Sequence, residues 1–133
     1  ANGAKCYLVS GGFDVITGPV AALCGFHDHH ANHMHVGDGK ILGTVQTPVL
    51  DRNAKAAYLA HYCKQHGIDP VDTATIGDGA NDLAMLQAAG MGVAFEGKAL
   101  LLAEVAIQLN HTDLRGLLYL QGYKDSDFVL EKI

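Results

Sequence analysis

The feature that most constrains the fold is an alternation of short apolar runs and helical patterns in the second half of the chain. Strand-forming runs at 73–76, 92–95 and 106–109 are each followed by a helical pattern, at 81–89, 98–105 and 112–120. Strands joined through helices lie parallel in one sheet, with helices packed on its faces. The pattern therefore predicts an α/β fold of three layers around a mainly parallel sheet.

The first half continues this pattern with one interruption. A strand at 5–9 is predicted to end in a sharp turn at Ser10-Gly11-Gly12, and a helix follows at 13–23. Residues 31–46 predict a β-hairpin turning at 37–39. The strongest helical pattern covers 51–67, where Asp51 or Asn53 can cap the start and Gly67 the end.

Length and composition limit the class of protein. At 133 residues the chain suits one domain, which we expect to cover residues 1–133. A net charge of -5 argues against nucleic acid as a partner, and no apolar run approaches the roughly 20 residues of a membrane span. Three cysteines without a CxxC pair favour buried free thiols, and with no signal-peptide pattern they predict a cytoplasmic location.

Two glycine-rich segments fall where predicted strands end, which is where open parallel sheets bind ligands. In the second, Asp78 and Asp82 could hold Mg²⁺ through carboxylate oxygens, or could simply cap the next helix. Ser10 and the backbone that follows it could cradle a phosphoryl group, or form only a turn. Lys55 considered alone would be an ordinary solvated lysine.

The order of these motifs resembles the haloacid dehalogenase superfamily and, within it, the phosphoserine phosphatase family. The resemblance rests on matching segments along the chain: Lys5 to Phe13, Ala31-Asn32 with 37–40, Lys55, Ile76 to Leu83 with 88–94, and 113–118 at the closing helix. It covers about residues 5–123, and Gly-Asp-Gly-Ala-Asn-Asp is its most specific part. It implies a Rossmann-like core and Mg²⁺-dependent hydrolysis of a small phosphomonoester, with O-phospho-L-serine the expected substrate.

The resemblance also implies roles for single residues. Ser10 and the N–H of Gly11 would bind phosphoryl oxygens, Asn81 would lie near the bound phosphoester, and Lys55 would neutralise phosphate charge. Asp78 would be the metal ligand.

Lys55 and Asp82 are the expected catalytic residues of this chain. Lys55 would keep the attacking carboxylate ionised, and Asp82 would orient the metal-bound waters or Lys55 itself.

The largest departure from the family is the missing DxDx[TS] motif, whose first aspartate attacks phosphorus and whose second is the general acid and base. Only nine residues precede Ser10, and Asp125-Ser126-Asp127 stands in the wrong context to replace the motif. In this family the strand that carries it lies centrally in the sheet, between the strand that ends at Ser10 and the strand that ends at Asp78, so we expect an incomplete core that also lacks the cap. Taken alone, the chain is expected to be inactive.

The chain is therefore expected to be the carboxyl-terminal piece of a longer phosphatase. Its partner would be a companion amino-terminal segment or a strand-swapped second copy, unless the sheet closes up around the gap. The alternative is a non-enzymatic module that retains metal or phosphate binding.

Six residues between 27 and 35, namely His27, Asp28, His29, His30, His33 and His35, form a competing signal. Imidazoles near a carboxylate are common ligands of zinc, copper or nickel. A polar surface turn and hairpin that happen to be rich in histidine explain the same residues, since no closed ligand set is evident.

Overall fold

The computed structural model describes residues 2–129. This part of the chain forms five α-helices and seven strands, which alternate except where β2, β3 and β4 follow one another. In chain order they are β1 (Tyr7–Phe13), α1 (Asp14–Cys24), β2 (Asp28–Asn32), β3 (Met34–Gly37), β4 (Lys40–Val45), α2 (Ala54–His66), β5 (Ala74–Gly77), α3 (Leu83–Ala88), β6 (Met91–Phe95), α4 (Ala99–Glu104), β7 (Ile107–Leu109) and α5 (Gly116–Leu120).

The strands form a two-stranded parallel pair, an antiparallel hairpin and a three-stranded parallel sheet. β1 pairs with β2, β3 with β4, and β5, β6 and β7 lie in that order. The predicted α/β class and mainly parallel pairing are confirmed. Within residues 2–129, however, β1 and β5 are not paired with each other, so the parallel strands form two sheets instead of one. The break falls between the strands that were expected to flank the missing central strand.

Local signals in the sequence account for the ends of the two longest helices. Gly25 and Gly67 adopt the left-handed conformation after α1 and α2, with φ of 72° and 63°. The Asp51 carboxylate accepts hydrogen bonds from the N–H groups of Asn53 and Ala54, at 2.8 and 3.0 Å, before α2. Asn53 occupies the cap position but makes no side-chain cap bond, so of the two predicted residues Asp51 supplies the capping hydrogen bonds.

The aliphatic core lies in the half that contains the three-stranded sheet. Leu86, Ala94, Leu101 and Val105 form one buried cluster between that sheet and its helices. By contrast, α1 leaves large apolar side chains exposed, including Leu23 at 86% of its surface. The β1–β2 half consequently has much less buried apolar surface to stabilise it.

Two predicted elements differ from the structure. The sharp turn expected at Ser10-Gly11-Gly12 is wrong, because β1 continues through these residues to Phe13. Its register against β2 shifts between Val9 and Phe13, so the glycines lie in an irregular strand. The last helix is also shorter than predicted, because the Asp113 carboxylate bonds the Arg115 backbone and holds this segment in a turn.

Two further observations concern the surface. No helix formed by residues 2–129 is long and apolar enough to cross a membrane. All three cysteines are free thiols, as predicted, but only Cys63 is buried, whereas Cys6 and Cys24 are exposed.

Candidate active site

A buried carboxylate organises the segment that follows β5. Asp82 is 2% exposed, and its side chain forms an ion pair with the Nζ atom of Lys55. Its other oxygen accepts hydrogen bonds from the backbone N–H groups of Asp78 and Gly79, both at 3.0 Å. One side chain therefore fixes the turn after β5 and connects it to α2.

Close packing of Asp82 explains why a glycine precedes this turn. A Cβ atom on Gly77 would lie 2.4 Å from Cγ of Asp82, a distance that ordinary packing never allows. The arrangement leaves Asp78 exposed beside a cleft of about 190 Å³, which is also lined by Ile76, Phe95 and Leu114. Within residues 2–129 the Asp78 carboxylate accepts no hydrogen bond, so its oxygens are available to a ligand.

Lys55 lies in the first turn of α2, and this helix docks on β1 and β2 through polar aromatic side chains. The Tyr62 hydroxyl donates to the Asp28 carboxylate at 3.1 Å and lies 2.6 Å from Nε2 of His30. The Tyr62 ring stacks on Tyr7 with 3.5 Å between ring centroids. These contacts set the position of α2, and with it the position of Lys55.

The same contacts shift three pKa values. Burial is the main cause that raises the pKa of Tyr62 to about 12, and the hydrogen bond to Asp28 adds to it. Burial also lowers the pKa of His30, although the Asp28 charge opposes this. The pKa of Asp28 is lowered, chiefly by a hydrogen bond from the His29 backbone.

The phosphate-binding candidates lie at two places. Ser10 is in the irregular part of β1, where its Oγ atom accepts a hydrogen bond from the N–H of Gly12 at 3.0 Å. Asn81 is exposed, and its Oδ1 atom lies 2.9 Å from where a Cβ atom on Gly79 would be. Among residues 2–129, no hydrogen bond or ion pair joins Ser10 to the Lys55–Asp82 pair.

The alternative, in which the two aspartates cap the next helix, describes part of what Asp82 does. Its carboxylate accepts from the N–H of Gly79, the residue that caps the 3-10 turn Ala80–Asp82 leading into α3, as in a capping box. The ion pair with Lys55 is a further contact, and it joins this turn to α2. At the other end of the chain, Asp125–Asp127 forms a separate 3-10 turn in which Asp125 accepts a hydrogen bond from the Tyr119 hydroxyl.

The histidines of the 27–35 segment have separate partners. Each of four histidines forms a hydrogen bond with a different side chain: His29 with the Thr17 hydroxyl, His30 with the Tyr62 hydroxyl, His33 with the Asp14 carboxylate and His35 with the Thr44 hydroxyl. In the part of the chain that the structure describes, no three His, Cys, Asp or Glu side chains form a group that could hold a metal ion. The segment is used for hydrogen bonding between neighbouring elements.

Sequence reasoning gave no role to two polar residues near these strands. Asn32 is 6% exposed, and its side chain contacts both Gly11 and Leu50. The Thr75 hydroxyl on β5 is buried without a hydrogen-bond partner among residues 2–129. The sequence marks Asn32 only as part of the Ala31-Asn32 pair that resembles the family, and it does not mark Thr75. No role could be assigned to either residue, because their burial depends on tertiary contacts.

Comparison with known proteins places these features in a family. The model for haloacid dehalogenase-like hydrolases matches residues 1–87. A phosphoserine phosphatase from Haemophilus influenzae is 39% identical over 92% of this chain, and one from Methanocaldococcus jannaschii is 40% identical over 84% of it. These matches cover 39% and 53% of the two relatives, so the chain spans about half of their length or less.

Solved structures agree with this assignment. A substrate-bound phosphoserine phosphatase complex superposes with a TM-score of 0.81 at 38% identity, covering 87% of this chain and 55% of that one. A phospho-aspartyl intermediate analogue of phosphoserine phosphatase gives a TM-score of 0.80 at 38% identity, covering 86% of this chain and 55% of the other. The family model, which matches well over half of the sequence, shows that this chain belongs to the haloacid dehalogenase-like hydrolases.

Proposed function

We propose that this chain forms the phosphate- and metal-binding part of a Mg²⁺-dependent phosphoserine phosphatase, a role in which its own carboxylates are not the nucleophile. The observation that carries the proposal is the Asp82 carboxylate, which holds Lys55 and the Asp78 turn together in one buried arrangement. A cation and a metal-binding carboxylate held side by side suit a transferring phosphoryl group. The phosphoserine phosphatases among its relatives support the substrate.

The chemistry of Asp78 fits a magnesium ion. Its carboxylate is exposed, and hydrogen bonds from the chain do not occupy its oxygens within residues 2–129. Mg²⁺ is often bound through only one or two protein carboxylates and retains several waters. Bound there, the ion would neutralise part of the phosphoryl charge.

Lys55 can serve two partners at once. An ammonium group has three N–H donors, and the structure commits one of them to Asp82. Its side chain is 14% exposed, so the remaining donors can reach a phosphoryl oxygen with little competition from water. Asp82 then acts by orienting Lys55, while Asn81 lies at the same turn for a contact to the phosphoester.

In the irregular part of β1, the Ser10 hydroxyl and the N–H of Gly11 would bind further phosphoryl oxygens. In its hydrogen bond with the N–H of Gly12, the Ser10 hydroxyl is the acceptor, so its own proton is available for donation. In the proposed enzyme an aspartate from outside this chain attacks phosphorus and displaces L-serine, whose leaving oxygen is protonated by a general acid that also lies outside this chain. Water then hydrolyses the aspartyl phosphate, which releases phosphate and restores the aspartate. This would place the enzyme in serine biosynthesis, for which we propose the cytoplasm.

The unpaired strands support a companion segment as the protein partner. β1 and β5 each lack a neighbour on one side within residues 2–129, and such edges favour pairing with another strand. A strand inserted there would pair with both, and it would end at the level of Ser10 and Asp78. A strand from an amino-terminal companion could deliver the attacking aspartate at this position.

Phosphate release from O-phospho-L-serine tests the proposal. The chain is assayed alone and with an amino-terminal fragment of a phosphoserine phosphatase that carries the aspartate motif. Turnover that requires both the fragment and Mg²⁺ is expected. Other phosphomonoesters in the same assay would show whether phosphoserine is preferred.

The variant Asp78→Asn should abolish this turnover and leave the circular dichroism spectrum unchanged. Asp72→Asn is the matched control, because Asp72 is also an exposed carboxylate and lies in the 3-10 turn before β5. Wild-type turnover in the Asp78 variant would refute its metal role. Phosphate binding without turnover in the complemented wild type would instead favour the non-enzymatic module.

A further inference from the structure

Asn32, the last residue of β2, uses both ends of its side-chain amide. Its Nδ2 atom donates to the carbonyl oxygen of Gly11 at 3.0 Å, and its Oδ1 atom accepts from the N–H of Leu50 at 2.8 Å. Because one partner is an acceptor and the other a donor, the orientation of the amide is determined. Only 6% of the residue is exposed, so loss of either bond would leave a poorly hydrated polar group.

The Gly11 carbonyl needs this side chain because the strand pairing is irregular there. Val9 is opposite His30 and Phe13 is opposite Asn32, so four steps along β1 correspond to two steps along β2. The extra residues of β1 fall outside the regular ladder of backbone hydrogen bonds. The Asn32 amide supplies a donor that the ladder does not provide.

Fixing this carbonyl also fixes the N–H group of the next residue. A trans peptide is planar, and its C=O and N–H bonds point in opposite directions. With the Gly11 oxygen held by Asn32, the N–H of Gly12 points away from β2 and donates to the Ser10 Oγ atom at 3.0 Å. The Ser10 Oγ atom therefore accepts the hydrogen bond from Gly12, and the hydroxyl proton points away from Gly12, where it can be donated to another group.

We propose that Asn32 is a positioning residue for phosphoryl binding, because it sets the Gly11–Gly12 peptide that orients the Ser10 hydroxyl as a donor. The inference rests on the proposed function for the identity of the ligand. Its structural part, the link from Asn32 to Ser10, can be measured without any ligand. Asn32 acts through the peptide and does not itself touch the substrate.

Amide hydrogen exchange and phosphate titration, both followed by NMR on the whole chain, test the proposal. Asn32→Asp keeps an acceptor for Leu50 but loses the donor to Gly11. We expect Gly12 amide exchange to accelerate about fivefold, with Leu50 exchange changing less than about twofold. The dissociation constant for inorganic phosphate should rise by a similar factor of about five.

Thr17→Val is the matched control. Thr17 is also 6% exposed, and its hydroxyl joins α1 to β2 through a hydrogen bond with His29 at 2.9 Å. Among the described residues, it forms no hydrogen bond with residues 10–12. This control should leave Gly12 exchange and phosphate affinity unchanged. Asn32→Ala removes the donor without adding charge, and it should accelerate Gly12 exchange in the same way if Asn32→Asp fails to fold.

Gly12 exchange in folded Asn32 variants that matches wild type would overturn the positioning role. An equal response in Thr17→Val would overturn it too, because the effect would then reflect general loosening of α1 and β2. If the wild type does not bind phosphate while Gly12 responds as expected, the proposed phosphate cradle is refuted and the link from Asn32 to Ser10 is supported.

Discussion

Replacement of Lys55 by methionine tests the ion pair around which the site is organised. Asp82 is almost fully buried, so the variant would leave its carboxylate without a countercharge. Removing one partner of a buried pair typically costs about 3–5 kcal/mol. Two backbone N–H groups still bond Asp82, so we expect about 3 kcal/mol, at the lower end of that range. With a urea m value of roughly 1.5 kcal/mol/M, the unfolding midpoint should fall by about 2 M.

Urea unfolding followed by circular dichroism measures this shift, with Lys64→Met as the control. Lys64 is exposed in the last turn of the same helix, where a cation contributes about 0.5 kcal/mol through the helix dipole. In Lys55→Met combined with Asp82→Asn, the loss should be about 1–2 kcal/mol smaller than the sum of the two single losses. The reasoning is refuted if Lys55→Met unfolds at the same urea concentration as Lys64→Met. It is also refuted if the loss of stability in the double variant equals the sum of the losses in Lys55→Met and Asp82→Asn.

Two other predictions concern packing and pH. Gly77→Ala should destabilise the chain by about 3 kcal/mol in the same urea assay, because the new Cβ atom would lie 2.4 Å from Cγ of Asp82. Gly18→Ala should be neutral or stabilising, because a Cβ atom there, inside α1, would lie 3.6 Å from the nearest atoms, which belong to the His29 ring. Equal effects of the two alanines would contradict this account. Burial lowers the pKa of His30, so the folded state favours the neutral ring. The contribution of His30 to the free energy of unfolding is therefore complete above about pH 6.5 and decreases as the pH drops below that value. Urea midpoints at pH 7.5 and 5.5 should therefore differ more in the wild type than in His30→Phe, and an equal difference in both would contradict the assignment to His30.

Elements whose signals are local could be predicted from the sequence. The hairpin turn is one example, because Asp38 and Gly39 both take positive φ, at 49° and 73°, as a two-residue turn between antiparallel strands requires. The helix at 54–66 is another, since Asp51 and Gly67 mark its ends by their chemistry. These features depend on residues only a few positions apart.

Features that depend on tertiary contacts were not accessible in this way. The glycines after Ser10 suggested a turn, but β1 continues through them to Phe13, which pairs with Asn32 of β2. The histidines suggested a possible metal cluster, but neighbouring elements supply each ring with its own partner, as Thr17 does for His29. Asn32 stood out only as part of the family resemblance, and its role could not be predicted because it depends on a register shift between two strands.

The link between the two halves of the chain passes through α2. Within residues 2–129 no backbone pairing joins β1 to β5, whereas α2 packs on α3 and its Lys55 reaches Asp82. The distance between the two proposed phosphate-binding sites therefore depends on how firmly α2 is held on β1 and β2. Tyr62 and His30 hold it by hydrogen bonds at the opposite end from Lys55. A companion strand paired with both β1 and β5 would take over part of this role, so Tyr62→Phe, which removes these hydrogen bonds, should lower the urea midpoint of the complemented protein less than that of the chain alone.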